Sequence, residues 1–282
     1  MKIVVGLRDA GNHTNFRSEA MACGMEAAGH TVIRQSRGDT SAIRQDHCDL
    51  YIQTGFNGTM GLHAAIDAGI PYIIAEAPFW RHWGVETISS YGYNGLAGGA
   101  YRSPAGSAPR DKPVLRERKS SGSTTIFGQK PTDHSLRGVD HVGWIESKRR
   151  EYPDAEFRPH PLMVPQGSLE ALESALERCL TAITYTSTVG AEALIAGCVS
   201  EPEHWGSTAY QVTDREQWIH DLSWGQFTTE EFATAEVAQH ILSGYEEAKE
   251  HPQEIPREKV DGTIIQREYH RRIICGADAE RA

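Results

Sequence analysis

Residues 184–200 read TYTSTVGAEALIAGCVS. Ile183 to Thr186 are β-branched or aromatic and suit a buried strand. From Val189 the run VGAEALIAG has helical spacing and stops at Gly197. Ser187 and Thr188 fall on the junction. A helix starting there points unpaired backbone N–H groups and the positive end of its dipole beyond the strand, and the two hydroxyls add donors, so the turn reads as an anion site. Gly190 lets a bulky phosphate approach the backbone. Glu192, on the first turn, favours the dipole and can accept hydrogen bonds from ribose hydroxyls. The competing reading is local: Ser187 or Thr188 caps the helix and Glu192 completes the cap.

The same strand-to-helix step repeats in both directions along the chain. KIVVGL (2–7), TVIRQ (31–35), DLYIQTG (49–55) and IPYIIAEAP (70–78) read as strands. NFRSEAMACGMEAAGH (15–30), SAIRQDH (41–47) and GTMGLHAAIDAG (58–69) read as helices between them. Apolar strands alternating with helices predict a parallel sheet covered on both faces. Residues 91–123, rich in Gly, Ser and Pro, carry no period and read as a long loop and linker. The pattern restarts with STTIFGQ (123–129), a helix over 138–153, a strand edge EFRPHP (156–161) and a helix over 168–179 capped by Ser168. After about residue 213 the chain turns helical and polar and ends in a charged tail expected to fray. The expected fold is α/β: two Rossmann-like parallel-sheet domains facing a cleft. The expected divisions are 1–112, 113–230 and a C-terminal helical segment over 231–282.

Bulk properties narrow the class. The 282 residues are 39% hydrophobic and 23% charged, an ordinary globular balance. MKIVVGLRDAG does not read as a signal peptide, and no stretch approaches the roughly 18 apolar residues of a membrane span. Five scattered cysteines without a C-x-x-C pair suggest a reduced, cytoplasmic protein with no cysteine-based metal site. Net charge is −10, yet residues 102–158 hold 12 Lys/Arg against 8 Asp/Glu. That positive centre reads either as a surface for a polyanion or nucleotide or as a solvated linker.

A second chemical signal is RPHP at 158–161. A His before Pro at a strand end has a fixed backbone, and His160 can donate to a departing phosphate. Together GQKPTDHS, KRREYPDAEFRPHP and TYTSTVGAEALIAGCVS resemble the C-terminal domain of GT-B glycosyltransferases. The likeness is to the branch holding capsular-polysaccharide and Kdo transferases and, more remotely, bacterial sialyltransferases. NGTMGLHAAIDAGIPYIIAEAPFWR and NGLAGG resemble the matching N-terminal run, so the resemblance spans about residues 49–212. The stretch after the Glu192 helix, CVSEPEHWGSTAY, departs from the family's small-residue-plus-proline pattern. The segment 215–242 resembles tails of phage-encoded proteins of this type.

The resemblance implies a GT-B-like glycosyltransferase, with His160, Ser187 and Thr188 on the donor phosphate and Glu192 on the donor's ribose. The co-substrate is a UDP- or CMP-linked sugar, with no other cofactor. The base that deprotonates the acceptor is expected from the first domain, in the order Asp9, Glu76, His13. Lys130, Arg81 and Arg102 are candidates to neutralise the donor phosphates. Arg81, Arg102, Arg116 and Arg118 are assigned to the acceptor. No H-x-x-x-H or Asp-x-Asp pair marks a metal site, so transfer is expected to be metal-independent. The acceptor is either a surface glycan or a hydroxymethylated base of phage DNA. For DNA, Arg110, Lys112 and Lys119 would join Arg102, Arg116 and Arg118 on phosphates. A nucleotide-sugar epimerase of the same fold is the alternative, although its expected Ser-Gly-Gly turn and paired carboxylates are replaced by STVGAEAL with one. A non-catalytic nucleotide-binding module is the other.

Overall fold

The computed structural model describes residues 1–8, 15–56, 59–79, 88–95, 103–108, 110, 112–136, 139–250 and 262–275. The chain divides into two compact units, Met1–Arg110 with His220–Pro256 and Asp111–Ile219 with Arg257–Ala282. It begins with β1 (Lys2–Leu7), α1 (Asn15–Ala27), β2 (Thr31–Ser36), β3 (Leu50–Thr54), α2 (Met60–Asp67), β4 (Tyr72–Glu76) and β5 (Ile88–Tyr93). Then follow β6 (Ser123–Phe127), α3 (His141–Glu151), β7 (Glu156–Arg158), α4 (Leu172–Arg178), β8 (Cys179–Thr184), α5 (Val189–Ile195) and β9 (Val199–Pro202). The last stretch holds α6 (Arg215–Ser223), β10 (Gln226–Thr228), α7 (Thr229–Phe232), α8 (Ala235–Ser243), α9 (Tyr245–Glu250), α10 (Gly262–Tyr269) and a π-helical turn, His270–Ile274.

The first unit carries a six-stranded sheet in the order β10-β5-β4-β3-β1-β2. β1 to β4 run parallel, β5 runs antiparallel to β4, and β10 antiparallel to β5. KIVVGL is continuously apolar because helices cover both faces. Ile3, Val5, Ile52 and Ile73 pack against Met21 and Met25 of α1 and Val237 and Ile241 of α8. On the other face Val4, Tyr51 and Ile74 meet Leu62 and Ala65 of α2, with Ile43 and Cys48. α1 passes so close to α7 that a Cβ on Gly24 would stand 2.1 Å from the Phe232 carbonyl oxygen. Gly24→Ala is therefore expected to cost about 1–3 kcal/mol, as overpacking does. The measurement is a lowered denaturant midpoint at unchanged slope; an unchanged midpoint would mean that the two helices part freely.

Several expected elements differ. SAIRQDH is a series of turns rather than a helix, with Ile43 N donating to Thr40 O and Cys48 N to Arg44 O. Asp39 takes the Ser41 N–H at 2.8 Å, the local side-chain competition that favours turns. The irregular stretch expected from residue 91 starts only after Tyr93, because β5 pairs with β4 and stacks Tyr91 on Phe227. The first division falls at Arg110/Asp111, close to the expected 112/113, whereas that at 230/231 gives way, since the chain returns to the first sheet through β10. There Gln226 to Thr228 pair with Ser90 to Ile88. The last helix joins the second unit instead: Tyr269 and Ile273 are buried with Val142 and Ile145. Arg272 Nε donates to Glu146 Oε1 at 2.9 Å, which anchors that turn; the charged end expected to fray, 276–282, lies outside the described residues.

The second unit holds a parallel sheet in the order β7-β6-β8-β9. Phe127 and Ala182 pack against Leu176 of α4 and Ala193 of α5. Ser168 does not cap α4. Its N–H closes a turn on Pro165 O, and the helix starts after Ala171, which makes no side-chain cap bond.

Both sheets reverse strand order once. The chain goes from β1 outward to β2 and returns to the other side of β1 at β3; it goes from β6 to β7 and returns at β8. Open parallel sheets bind ligands beyond the carboxyl ends of their strands at such reversals. That singles out the β1/β3 edge of the first unit and the β6/β8 edge of the second. Among the described residues no helix is long and apolar enough to cross a membrane.

Candidate active site

At the β6/β8 edge, the residues that follow the two strands form a polar constellation. Gln129, 6% exposed, lies two positions past β6. Its Nε2 donates to Ser135 Oγ at 2.8 Å and to Thr186 Oγ1 at 3.0 Å, and its Oε1 accepts Thr186 N–H at 3.3 Å. Ser135 and Thr186 share a hydrogen bond of 2.8 Å, and Ser135 is pinned by Asp133 Oδ1. The loops after β6 and β8 are thereby tied together. Lys130, half-buried beside this network, has no side-chain partner among the described residues.

Under the network sits His141. Its Nε2 accepts the Gln129 N–H at 3.2 Å, while Nδ1 is buried without a partner. The ring stacks on Trp144 and Tyr269 and meets the edge of Tyr185. Burial pushes its pKa down to about 4. His141 is therefore a neutral structural acceptor that fixes the Gln129 backbone. Tyr185 lies over His204 at 5.7 Å, and His204 adjoins Trp205, which is 47% exposed. Together they form an aromatic ledge at the ends of β8 and β9.

The strand-to-helix turn has the expected place but not the expected chemistry. Ser187 Oγ accepts Val189 N–H at 3.2 Å, Gly190 N donates to Ser187 O, and Ala191 N to Thr188 O. The amides of Val189, Gly190 and Ala191, expected to be unpaired, are thus closed on the turn itself. Ser187 is half-buried; Thr188 is exposed and makes no side-chain cap bond. Gly190 is held close to its neighbours. A Cβ there would stand 3.1 Å from Ala209 Cβ and from Ser200 Oγ, and 3.3 Å from Thr184 Oγ1, so the glycine serves the packing of α5 on β8 and β9. Glu192 is half-buried on the first turn. His160, after the edge strand β7, accepts Leu162 N–H on Nδ1 at 3.1 Å. In the neutral ring that bond puts the proton on Nε2.

The cations over 110–119 are engaged within the fold. Arg110 pairs with Glu231 and lies over the Phe227 ring, and Lys112 pairs with Glu216 at 3.4 Å. Lys119 Nζ donates to the carbonyls of Leu176, Glu177 and Cys179. Arg116 N bonds Ile195 O and Lys119 N bonds Gly197 O, so this strip runs along the C-terminal end of α5, opposite the Ser187 turn. Arg116 and Arg118 sit there, the first 3.9 Å from Glu177 and the second reaching Thr213 O at 3.4 Å. They are therefore not at a ligand edge of the second sheet.

In the first unit Glu76 ends β4, and its Oε1 accepts Phe56 N–H at 3.1 Å at the β1/β3 edge. Asp9, His13, Arg81 and Arg102 lie outside the described residues. No group of three or more His, Cys, Asp or Glu converges on a metal-sized site among the described residues. Sequence reasoning missed Gln129, Ser135, Thr186 and the aromatic ledge. For Gln129 the signal was present: an amide just past an apolar strand, at the place where strand order reverses.

No protein-family model and no curated protein matches the chain. Among solved structures, the Thermosulfurimonas dismutans KpsC β-Kdo 2,7 transferase is 14% identical, covering 84% of this chain and 99% of its own, with a TM-score of 0.48. The Thermosulfurimonas dismutans KpsC β-Kdo 2,4 transferase is 15% identical over 79% of this chain and 89% of its own, at 0.46. The spinosyn forosaminyltransferase SpnP is 14% identical over 95% and 94%, at 0.26. At these TM-scores the likeness is partial, and the functional reading rests on the site itself.

Proposed function

We propose that the protein transfers a sugar from a nucleotide-activated donor, UDP- or CMP-linked, to an acceptor hydroxyl, with the donor held at the β6/β8 edge. The observation that carries this reading is the constellation at that strand reversal. Gln129, Ser135 and Thr186 make a rigid polar floor, and Lys130 stands beside it without a counter-ion among the described residues. As the bond from sugar to phosphate breaks, negative charge grows on the phosphate. The Lys130 ammonium and the Ser187 and Thr188 hydroxyls are donors for that charge, and His160 Nε2 adds another from β7. The ledge of Tyr185, His204 and Trp205 suits the face of a base, and Glu192 suits the ribose. The acceptor proton goes to a carboxylate or imidazole of the first unit, with Asp9, Glu76 and His13 as candidates.

We assign the acceptor hydroxyl to a glycan rather than to DNA. Arg110, Lys112, Arg116, Arg118 and Lys119 are engaged by Glu231, Glu216, Glu177 and backbone carbonyls, which leaves no run of guanidiniums for successive phosphates along 110–119. A duplex should accordingly show little binding at 150 mM salt, roughly the ionic strength at which exposed charges are screened beyond ~8 Å. Charge reversal at Arg116 and Arg118 should not change that.

The test of the reaction is incubation with a panel of nucleotide sugars, following both released nucleotide and product mass. Release that depends on an acceptor supports transfer. Conversion of the donor's sugar to an isomer without release supports an epimerase. Binding without either supports a non-catalytic module. Cationic side chains neutralise the leaving group in this reading, so activity is expected to survive EDTA. Complete loss restored by Mg²⁺ would show that a metal, and not Lys130, neutralises the departing phosphate.

A further inference from the structure

At the C-terminal edge of the first sheet, three guanidiniums converge where β1 and β3 end side by side. Arg8 follows β1 directly, Arg17 lies on the first turn of α1, and Arg37 follows β2. Arg37 is 8% exposed. Its Nη2 donates to Thr54 O and to Gly55 O, and its Nε is buried without a partner. Arg17 Nε donates to Ser89 Oγ at 2.8 Å. Arg8 Nε is also buried without a partner, and its backbone is fixed by Asn15, which accepts Arg8 N–H at 2.9 Å and donates to Arg8 O at 3.1 Å. Ser18 and Thr54 bond each other at 2.7 Å nearby.

Among the described residues one carboxylate, Glu76, acts on Arg17 and Arg37, and Arg8 opposes both. Glu76 already accepts Phe56 N–H. Holding guanidiniums out of water with too little counter-charge is costly; burial first, and then the repulsion from Arg8, bring Arg37 down to about 10. Arg37 is committed to closing the end of β3, whereas Arg8 makes no side-chain hydrogen bond to a described residue. Planar forks at one strand edge match a single carboxylate or phosphate in two-point geometry. A duplex, by contrast, needs cations spread over several phosphates.

We propose that this edge is a binding site for one compact oxyanion, a carboxylate or a phosphate, carried by the acceptor beside its reacting hydroxyl. Arg8 and Arg17 are its donors and Arg37 is the fixed charge behind them. The acceptor role rests on the glycosyl-transfer reading; the anion site itself does not.

The test is calorimetry on the full chain with D-glucuronate and inorganic phosphate as probes and D-glucose as the neutral control. At least one anion is expected to bind and glucose not to bind. Arg8→Gln should weaken that anion about tenfold or more, the scale of a lost charge-assisted bond, while Arg8→Lys keeps most of the affinity. Ser187→Ala should leave it unchanged, which separates the site from the β6/β8 edge. Whichever probe binds tighter assigns the source of the oxyanion. UDP and CMP affinity should be equal in wild type and Arg8→Gln; that titration shows the variant is folded and tests the donor reading separately. The proposal is overturned if neither anion binds, or if both bind equally to wild type and Arg8→Gln. It is equally overturned if a duplex oligonucleotide alone responds to Arg8→Gln.

Discussion

Acidification from about pH 6.5 to pH 4 is expected to remove about 3 kcal/mol of stability from the second unit through His141 alone, at ~1.4 kcal/mol per unit of pKa difference. The ring is buried, and its Nε2 is the acceptor for Gln129 N–H. Its pKa in the fold is pushed down to about 4, whereas an unfolded chain has a histidine near about 6.5. Between those values the unfolded state takes up a proton that the native state refuses. Stability therefore rises with pH through this window, is complete above it, and is lost as pH falls toward 4. Protonation would also turn Nε2 from acceptor to donor against Gln129 N–H, so the donor edge loosens with the fold. The ring's titration by NMR is the direct check: a midpoint near 6.5 in the folded protein would refute the assignment. His141→Phe should flatten the pH dependence of the denaturation midpoint while lowering stability at pH 7, because Gln129 N–H is left without its acceptor.

Lys130→Ala is expected to weaken nucleotide binding by about ten- to a hundredfold, from the loss of a charge-assisted hydrogen bond to phosphate. The fold should be untouched, since Lys130 has no side-chain partner among the described residues. Ser187→Ala should have a smaller effect of the same sign. Its oxygen also accepts Val189 N–H, so part of its cost falls on the turn. Thr186→Val should act differently, loosening the tie between the loops after β6 and β8 by removing the side-chain contacts to Gln129 and Ser135 while the Thr186 N–H keeps Gln129 Oε1. Equal affinity for CMP and UDP in wild type and Lys130→Ala would take the phosphate away from this edge.

The strands of both sheets were readable because burial on two faces demands uninterrupted apolar runs such as Ile3–Val5 and Ile73–Ala75. β5 and β10 were not. Ser89 and Ser90 break the apolar signal, and the pairing of β10 with β5 joins residues far apart in the chain. Local competition hid other features: Asp39 turned a helical spacing into turns, and Ser187 closed on its own helix. Gly190 was legible as a close approach, and Ala209 and Ser200 are the side chains held close to it. Charge counting marked Arg116, Arg118 and Lys119 without showing that the Lys119 ammonium caps the carbonyls that end α4, or that the strip runs along the C-terminal end of α5. The arginine cluster at the first edge escaped notice because Arg8, Arg17 and Arg37 come from three separate elements.

Amide hydrogen exchange with and without saturating CMP or UDP tests the donor site most directly. Nucleotide should slow exchange in residues 128–131 and 185–190, the segments that follow β6 and β8, and leave the β1/β3 edge at its unliganded rate. Protection confined to the first unit, or no protection at saturating nucleotide, would contradict a donor held at the β6/β8 edge.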